Sequence, residues 1–281
     1  MLPVETIELV AGDSRAVLAP ERGGMVTRFS VAGEDVLFLD EATLADASKN
    51  VRGGVPILFP IGGKLAPDTL PGASAPLKQH GFARDLPWRV VAASADRAVL
   101  ALEASARTRA AYPFDFAVSV SYLVGDGTLA IEQRFENRGS TPMPLQPGLH
   151  PYFAVAVAAK AGARVDTDAT LAWDNVAGAR VPFRGVDFAS GEVDLHLLDH
   201  GRHGTRLQRP GARDVLLSWS ADHHVLVLWT LPDRPFICVE PWSAPANALQ
   251  TGGGLLVAPG ASHASQVILS VDRSADVAPR A

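Results

Sequence analysis

Residues 116–135 read FAVSVSYLVGDGTLAIEQRF. Phe116, Val118, Val120 and Tyr122 alternate with Ala117, Ser119 and Ser121. That period of two sends successive side chains to opposite faces of an extended chain, so the run is a strand with one buried face. Gly125-Asp126-Gly127-Thr128 then passes to a second run carrying Leu129, Ile131 and Phe135. Two alternating runs joined across a glycine turn predict a β-hairpin.

The same grammar recurs along the chain. TIELV, MVTRFSV, DVLFL, WRVVAA, RAVLALEA, DVLLSWS, HVLVLWT and SQVILSV are short β-type runs, and nearly all are bounded by Gly, Pro, Asp or Asn. No long segment has helical periodicity, and EATLADASK (41–49) is the best candidate for a short helix. The 21 prolines and 25 glycines punctuate turns between strands. Many strands with apolar inner faces bury them by packing sheet on sheet, so the expected fold is all-β, a large antiparallel β-sandwich with few short helices. No repeat, low-complexity tract or linker divides it, and residues 1–281 are expected to form one domain.

A net charge of −5 and the lack of a Lys/Arg cluster remove the electrostatic footprint of nucleic-acid binding. No basic amphipathic stretch points to a membrane surface, and no segment approaches the roughly 18 apolar residues of a span. MLPVETIELV has no basic region followed by an apolar core, so no secretory signal is expected. One cysteine, Cys238, leaves no intrachain disulfide and no multi-cysteine metal site. A cytoplasmic protein is the expectation.

Three stretches fit neither plain strands nor plain loops. VRGGVPILFPIGGKL (51–65) with KQHGFARDLPW (78–88) is a glycine- and proline-stiffened segment that places His80 and Arg84 near aromatic surface. Its plainer reading is a turn in which His80 caps backbone groups and Arg84 pairs with Asp85. In LQPGLHPYF (145–153), prolines fix the direction of His150, the side chain best suited to move a proton near neutral pH. A structural histidine among aromatics is the alternative. In PFICVEPW (235–242), Glu240 ends an apolar run, where burial would raise its pKa toward that of a general base. A strand-end carboxylate facing solvent or pairing with Arg234 competes with that reading.

Other chemistries find less support. There is no G-x-S-x-G elbow and no G-x-x-x-x-G-K-[ST] phosphate loop, and TGGGLL (251–256) reads as a flexible glycine turn. His223 and His224 are adjacent in a strand-like run and should face opposite ways. By ligand type alone, His80, His150 and Glu240 would suit a mononuclear metal, and spacing neither supports nor excludes it.

FPIGGKL, QHGFARDLPW, GLHPYF and CVEPW, in that order, resemble the aldose 1-epimerase (mutarotase) family, within the galactose mutarotase-like group. The resemblance implies a galactose mutarotase-like supersandwich with a sugar cleft and an isomerase that needs no cofactor or metal. It implies Glu240 as the base on the C1 hydroxyl, His150 as the acid on the ring oxygen, and His80 as a second histidine holding the sugar. Ring opening calls for an acid and a base on opposite sides of one hemiacetal. An aspartate before TRLQRP is also implied; Asp194 fits by distance, with Asp199 as competitor. Trp242, Phe82 or Phe153 would stack on the sugar. Lys64 stands where the free-sugar branch often has arginine. Arg52 in RGGVP and Arg84 in HGFAR resemble the branch acting on hexose 6-phosphates, and guanidinium suits phosphate. A free aldose or broad specificity is expected, with a hexose-6-phosphate mutarotase or a catalytically silent carbohydrate-binding protein as alternatives.

Overall fold

The computed structural model describes residues 4–272. Phe116–Gly125 and Thr128–Asn137 form the expected hairpin, paired in unbroken register from Phe116 opposite Asn137 to Gly125 opposite Thr128. The reversal therefore rests on Asp126 and Gly127, and Gly127 takes φ +70°, a conformation that a Cβ disfavours. Val118, Val120, Tyr122, Leu129, Ile131 and Phe135 are all buried on one face, as the alternation requires.

This hairpin is the centre of an eight-stranded antiparallel sheet, called here the outer sheet. Its order is Arg164–Asp166, Gly204–Gln208, Val215–Trp219, Ser262–Val271, Thr128–Asn137, Phe116–Gly125, Arg97–Glu103 and Arg89–Ala93. A second eight-stranded sheet, the cleft sheet, runs Ala179–Pro182, Leu171–Asp174, Val193–Leu197, Val225–Thr230, Phe236–Trp242, Gly148–Leu149 and Ile57–Leu58. Tyr152–Ala154 also pairs with Phe236–Trp242. A four-stranded sheet from residues 7–35 and the two-stranded pair Met143–Leu145 with Leu255–Val257 complete the set.

Leu226, Leu228, Ile237 and Val239 of the cleft sheet share one apolar cluster with Val118, Ile131, Leu217 and Leu269 of the outer sheet. Sheet-on-sheet burial is thus the fold's organising contact, each fully buried Leu or Ile contributing about 1.5–3 kcal/mol. Helices are short. Glu41–Ala45 forms inside the segment expected for it, capped by Asp40, whose side chain accepts from the Ala42 and Thr43 amides. It stops at Asp46, so the residues up to 49 are not helical. Ala106–Ala111 has a capping box between Ser105 and Thr108, a signal the apolar periodicity did not reveal.

Two local expectations need correction. DVLFL is not one strand: Glu34–Asp35 pairs regularly, and then only isolated bridges form at Leu37 and Leu39. His223 and His224 lie in the turn before Val225–Thr230 rather than in a strand. They still diverge, His223 buried and His224 exposed, because Ser220 and Asp222 hold the His223 ring.

Candidate active site

The site grows out of the strand Phe236–Trp242. Every residue in it is buried, yet the two faces differ. Ile237 and Val239 enter the core between the sheets, while Cys238, Glu240 and Trp242 look the other way. Gly148 pairs with Trp242, and Tyr152 pairs with Cys238, in the same register on either side of a short gap. Pro151 and Pro241 fall in that gap, where neither has an N–H to give to a ladder. The shared register places His150 directly opposite Glu240.

Register also extends the row across the sheet. His196 pairs with Val227, and Val227 with Glu240. His196, Val227, Glu240 and His150 thus form one rank over four adjacent strands. The next rank is Asp194, Trp229, Cys238 and Tyr152. These two ranks form the floor of a cleft of about 820 Å³, with Cys238 lying beneath its surface.

His150 Nε2 lies 3.3 Å from Glu240 Oε1. Glu240 Oε2 accepts from Trp242 Nε1 at 3.1 Å. The His150 ring stacks on Tyr152, centroids 4.6 Å apart and planes 8° from parallel, and its Nδ1 is buried without a partner. Burial drives the pair toward its neutral form: the Glu240 carboxyl is raised well above the usual range. The His150 imidazole is lowered to about 3, first by burial and then by the Arg84 charge. Glu240 and His150 therefore stand side by side in contact as cross-strand neighbours. The Glu240 carboxylate does not face solvent, and Arg234 is exposed.

Residues 51–65, which include the sheet's edge strand Ile57–Leu58, and residues 78–88 form an adjoining wall of the cleft. His80 sits at φ +64°, an uncommon conformation for a residue with a side chain. Its amide donates to Gly63 O at 2.7 Å, and its Nδ1 accepts from Gly63 N at 3.0 Å. Accepting that amide at Nδ1 puts the proton of the neutral ring on Nε2, which lies 3.2 Å from the Gln79 side-chain amide. The plainer reading of His80 as a backbone cap is correct, and the residue also lines the cleft, its ring 5.6 Å from both His150 and Trp242. Burial above all holds the His80 imidazole well below its usual range, and a positive charge on His150 or Arg84 acts in the same direction. Gly81 is required here, since a Cβ would lie 2.1 Å from Phe59 O. That carbonyl accepts from the Phe82 and Ala83 amides.

Arg84 does not form the suggested pair with Asp85. Its Nη2 donates to Gln79 O at 3.0 Å, its Nε is buried without a partner, and Lys78 approaches Asp85 at 3.6 Å. Arg84, Arg52 and Lys64 all line the cleft, the last two exposed at its rim. Asp194 lines it too, held by Asn175 Nδ2 at 2.8 Å and 3.7 Å from His196 Nε2, with its pKa raised by burial. Asp199 is exposed and occupied with Thr170 and Leu171, outside the cleft. Trp242 lines the floor, whereas Phe82 and Phe153 do not. Phe153 follows Tyr152 and so turns to the core, and Phe82 packs on Phe59 and Phe116. His196, Tyr152, Trp229 and Asn175 line the cleft without having been singled out. The alternation in VDLHL and HVLVLWT was the available signal, since a residue two places from Asp194 must share its face.

Comparison with known proteins agrees in family and fold. The family model described as Aldose 1-epimerase matches residues 5–270. The Slr1438 protein of Synechocystis sp. PCC 6803, a solved structure, is 36% identical over 96% of each chain with a TM-score of 0.92. A galactose mutarotase-like protein from Lactobacillus casei, 22% identical, shares the fold with a TM-score of 0.77 over 95% of this chain and 100% of its own. The Salmonella typhimurium protein named "Putative glucose-6-phosphate 1-epimerase" is 31% identical over 159 residues, 54% of this chain and 50% of that protein. Its Escherichia coli K12 namesake is 31% identical over 164 residues, 56% and 52% of the two chains. The chain thus spans about half the length of these curated relatives.

Proposed function

The chain belongs to the aldose 1-epimerase family, and from that premise we propose that it interconverts the α and β anomers of an aldose by acid/base ring opening and reclosure. The observation that carries this reading is the His150–Glu240 contact of 3.3 Å, buried in the floor of a sugar-sized cleft. The pair holds one mobile proton, which burial draws toward Glu240. Its transfer to His150 leaves a carboxylate beside an imidazolium.

Glu240 then removes the proton of the C1 hydroxyl while His150 protonates the ring oxygen, and the C1–O5 bond breaks to give the open aldehyde. Rotation about C1–C2 exposes the other carbonyl face. His150 takes back the proton from the C5 hydroxyl, Glu240 returns its proton to the carbonyl oxygen, and the ring recloses as the opposite anomer. No atom is gained or lost, so acid and base are restored together. His80, with its proton on Nε2, acts as a fixed neutral donor to the ring-oxygen side. Asp194 binds sugar hydroxyls, and Trp242 offers an aromatic face.

A second reading, a hexose 6-phosphate as substrate, draws on specific side chains. Arg52, Lys64 and Lys49 lie at the rim, and Arg84 has a buried Nε with no partner. Guanidinium groups with spare donors suit a phosphate, and two curated relatives carry glucose-6-phosphate in their names. The single cysteine, which leaves no disulfide to protect, supports a cytoplasmic setting. Among the described residues no helix is long and apolar enough to cross a membrane.

Polarimetry of freshly dissolved α-glucose, α-galactose and α-glucose 6-phosphate tests the proposal. Catalysed mutarotation of at least one is expected, and a preference for the phosphate would favour the second reading. Saturable sugar binding by folded protein, with no acceleration on any of a broad panel, would overturn the enzymatic reading in favour of a silent carbohydrate-binding protein.

A further inference from the structure

The cleft floor holds a third group that ring opening does not use. Cys238 is the chain's single cysteine, fully buried, and two residues from Glu240 on the same strand face. Its Sγ, a ring nitrogen of His150 and a carboxylate oxygen of Glu240 all lie within 4.8 Å of one another. We propose that these three side chains form a binding site for a thiophilic divalent cation such as Zn2+, and that the ion, when bound, occupies the acid/base pair and excludes sugar.

Ligand chemistry and geometry agree. Thiolate, imidazole and carboxylate together suit zinc better than magnesium or calcium, which take oxygen ligands. Zinc bonds to nitrogen and oxygen near 2.0 Å in a tetrahedron, which separates two such ligands by about 3.3 Å. The His150 Nε2 to Glu240 Oε1 distance is 3.3 Å. Three atoms no more than 4.8 Å apart share a centre within about 2.8 Å of each, so shifts of about 0.5 Å for sulfur and about 0.8 Å at most for nitrogen and oxygen reach bonding distance.

Phe236, Tyr152 and Trp229 pack around Cys238 on the apolar side. The fourth coordination position would therefore open toward the cleft, where a water would sit in the space a sugar would otherwise take. Binding converts the Cys238 thiol to thiolate and frees the proton shared by His150 and Glu240, releasing two protons to solvent. His150 Nδ1 has no partner to orient the ring, the arrangement that strengthens permanent sites. The ion is thus a reversible inhibitor, not a resident cofactor. Inhibition of turnover rests on the epimerase reading, whereas binding does not.

Cobalt(II) added to the intact protein, as a spectroscopic stand-in for Zn2+, tests the site directly. A near-ultraviolet thiolate-to-cobalt band is expected, lost on adding Zn2+, and with one cysteine in the chain any such band reports Cys238. Cys238→Ser and Cys238→Ala, checked for native circular dichroism, should lack the band and bind Zn2+ at least tenfold more weakly in competition with a chelating dye. In the mutarotation assay Zn2+ should raise KM with little change in kcat, and a chelator should reverse it. Absence of the band in the parent protein, which needs no variant to fold, would overturn the proposal. So would unchanged Zn2+ affinity in a folded Cys238 variant. A protein that shows the band yet turns over no sugar would refute the epimerase reading and leave the metal site standing.

Discussion

The two eight-stranded sheets follow the same period of two, bury one face each in the same core, and use their second faces in opposite ways. On the outer sheet that face meets water. Glu103 there is half exposed and shared between Arg138 at 3.1 Å and Arg89 at 4.0 Å. On the cleft sheet the second face carries His150, His196, Glu240 and Cys238, all buried. What differs is the cover. Residues 51–65 and 78–88 wall the cleft beside these side chains, and nothing among the described residues does the same for the strands around Glu103. An exposed charge pair is screened and worth little, whereas a buried titratable pair has its protons moved by burial.

The largest effect should come from the buried pair. Glu240→Gln and His150→Ala should each lower mutarotation by about 10²–10⁴-fold, the usual contribution of a general acid or base, with circular dichroism unchanged. Retention of most of the rate by either folded variant would remove the contrast between the sheets. Next comes the packing that aims the carboxylate. A Cβ at Gly148 would lie 2.6 Å from Trp242 Cδ1, so Gly148→Ala should push the indole off Glu240 and reduce kcat about tenfold or more. A variant altered only in KM would contradict that positioning role.

Acidification sharpens the comparison through stability. Burial lowers His196 to about 4 from 6.5. Between those values the unfolded chain binds a proton that the folded chain refuses, so stability falls as pH drops from about 6.5 to about 4. His80 and His150 act in the same sense. His196→Gln should flatten the slope of denaturant-derived stability against pH over that window, and an unchanged slope would count against a buried neutral His196. The smallest effect belongs to the outer sheet. Glu103→Ala should change stability by no more than about 0.5 kcal/mol and leave mutarotation at the parent rate.

The sheets are legible in local alternation. Phe116–Phe135 carries its strand faces and its turn in twenty consecutive letters, and Glu240 drew notice because a carboxylate ended an apolar run. Pairing between distant strands was not legible. Only register reveals that His150 lies opposite Glu240, or that His196 shares their rank. Phe153 shows the cost of ignoring period two: its neighbour Tyr152 faces the cleft, so Phe153 had to face the core. Asp194 and Asp199 were separable with certainty only in three dimensions, where Asp194 lines the cleft and Asp199 is held outside it by Thr170 and Leu171.

Saturation-transfer NMR at anomeric equilibrium addresses the central assignment most directly. Irradiating the α-anomeric proton of glucose or glucose 6-phosphate should diminish the β signal in the presence of the parent protein. With folded Glu240→Gln, transfer should fall to the rate in buffer alone. Equal transfer with parent and Glu240→Gln would contradict the assignment of Glu240 and His150 as the acid/base pair.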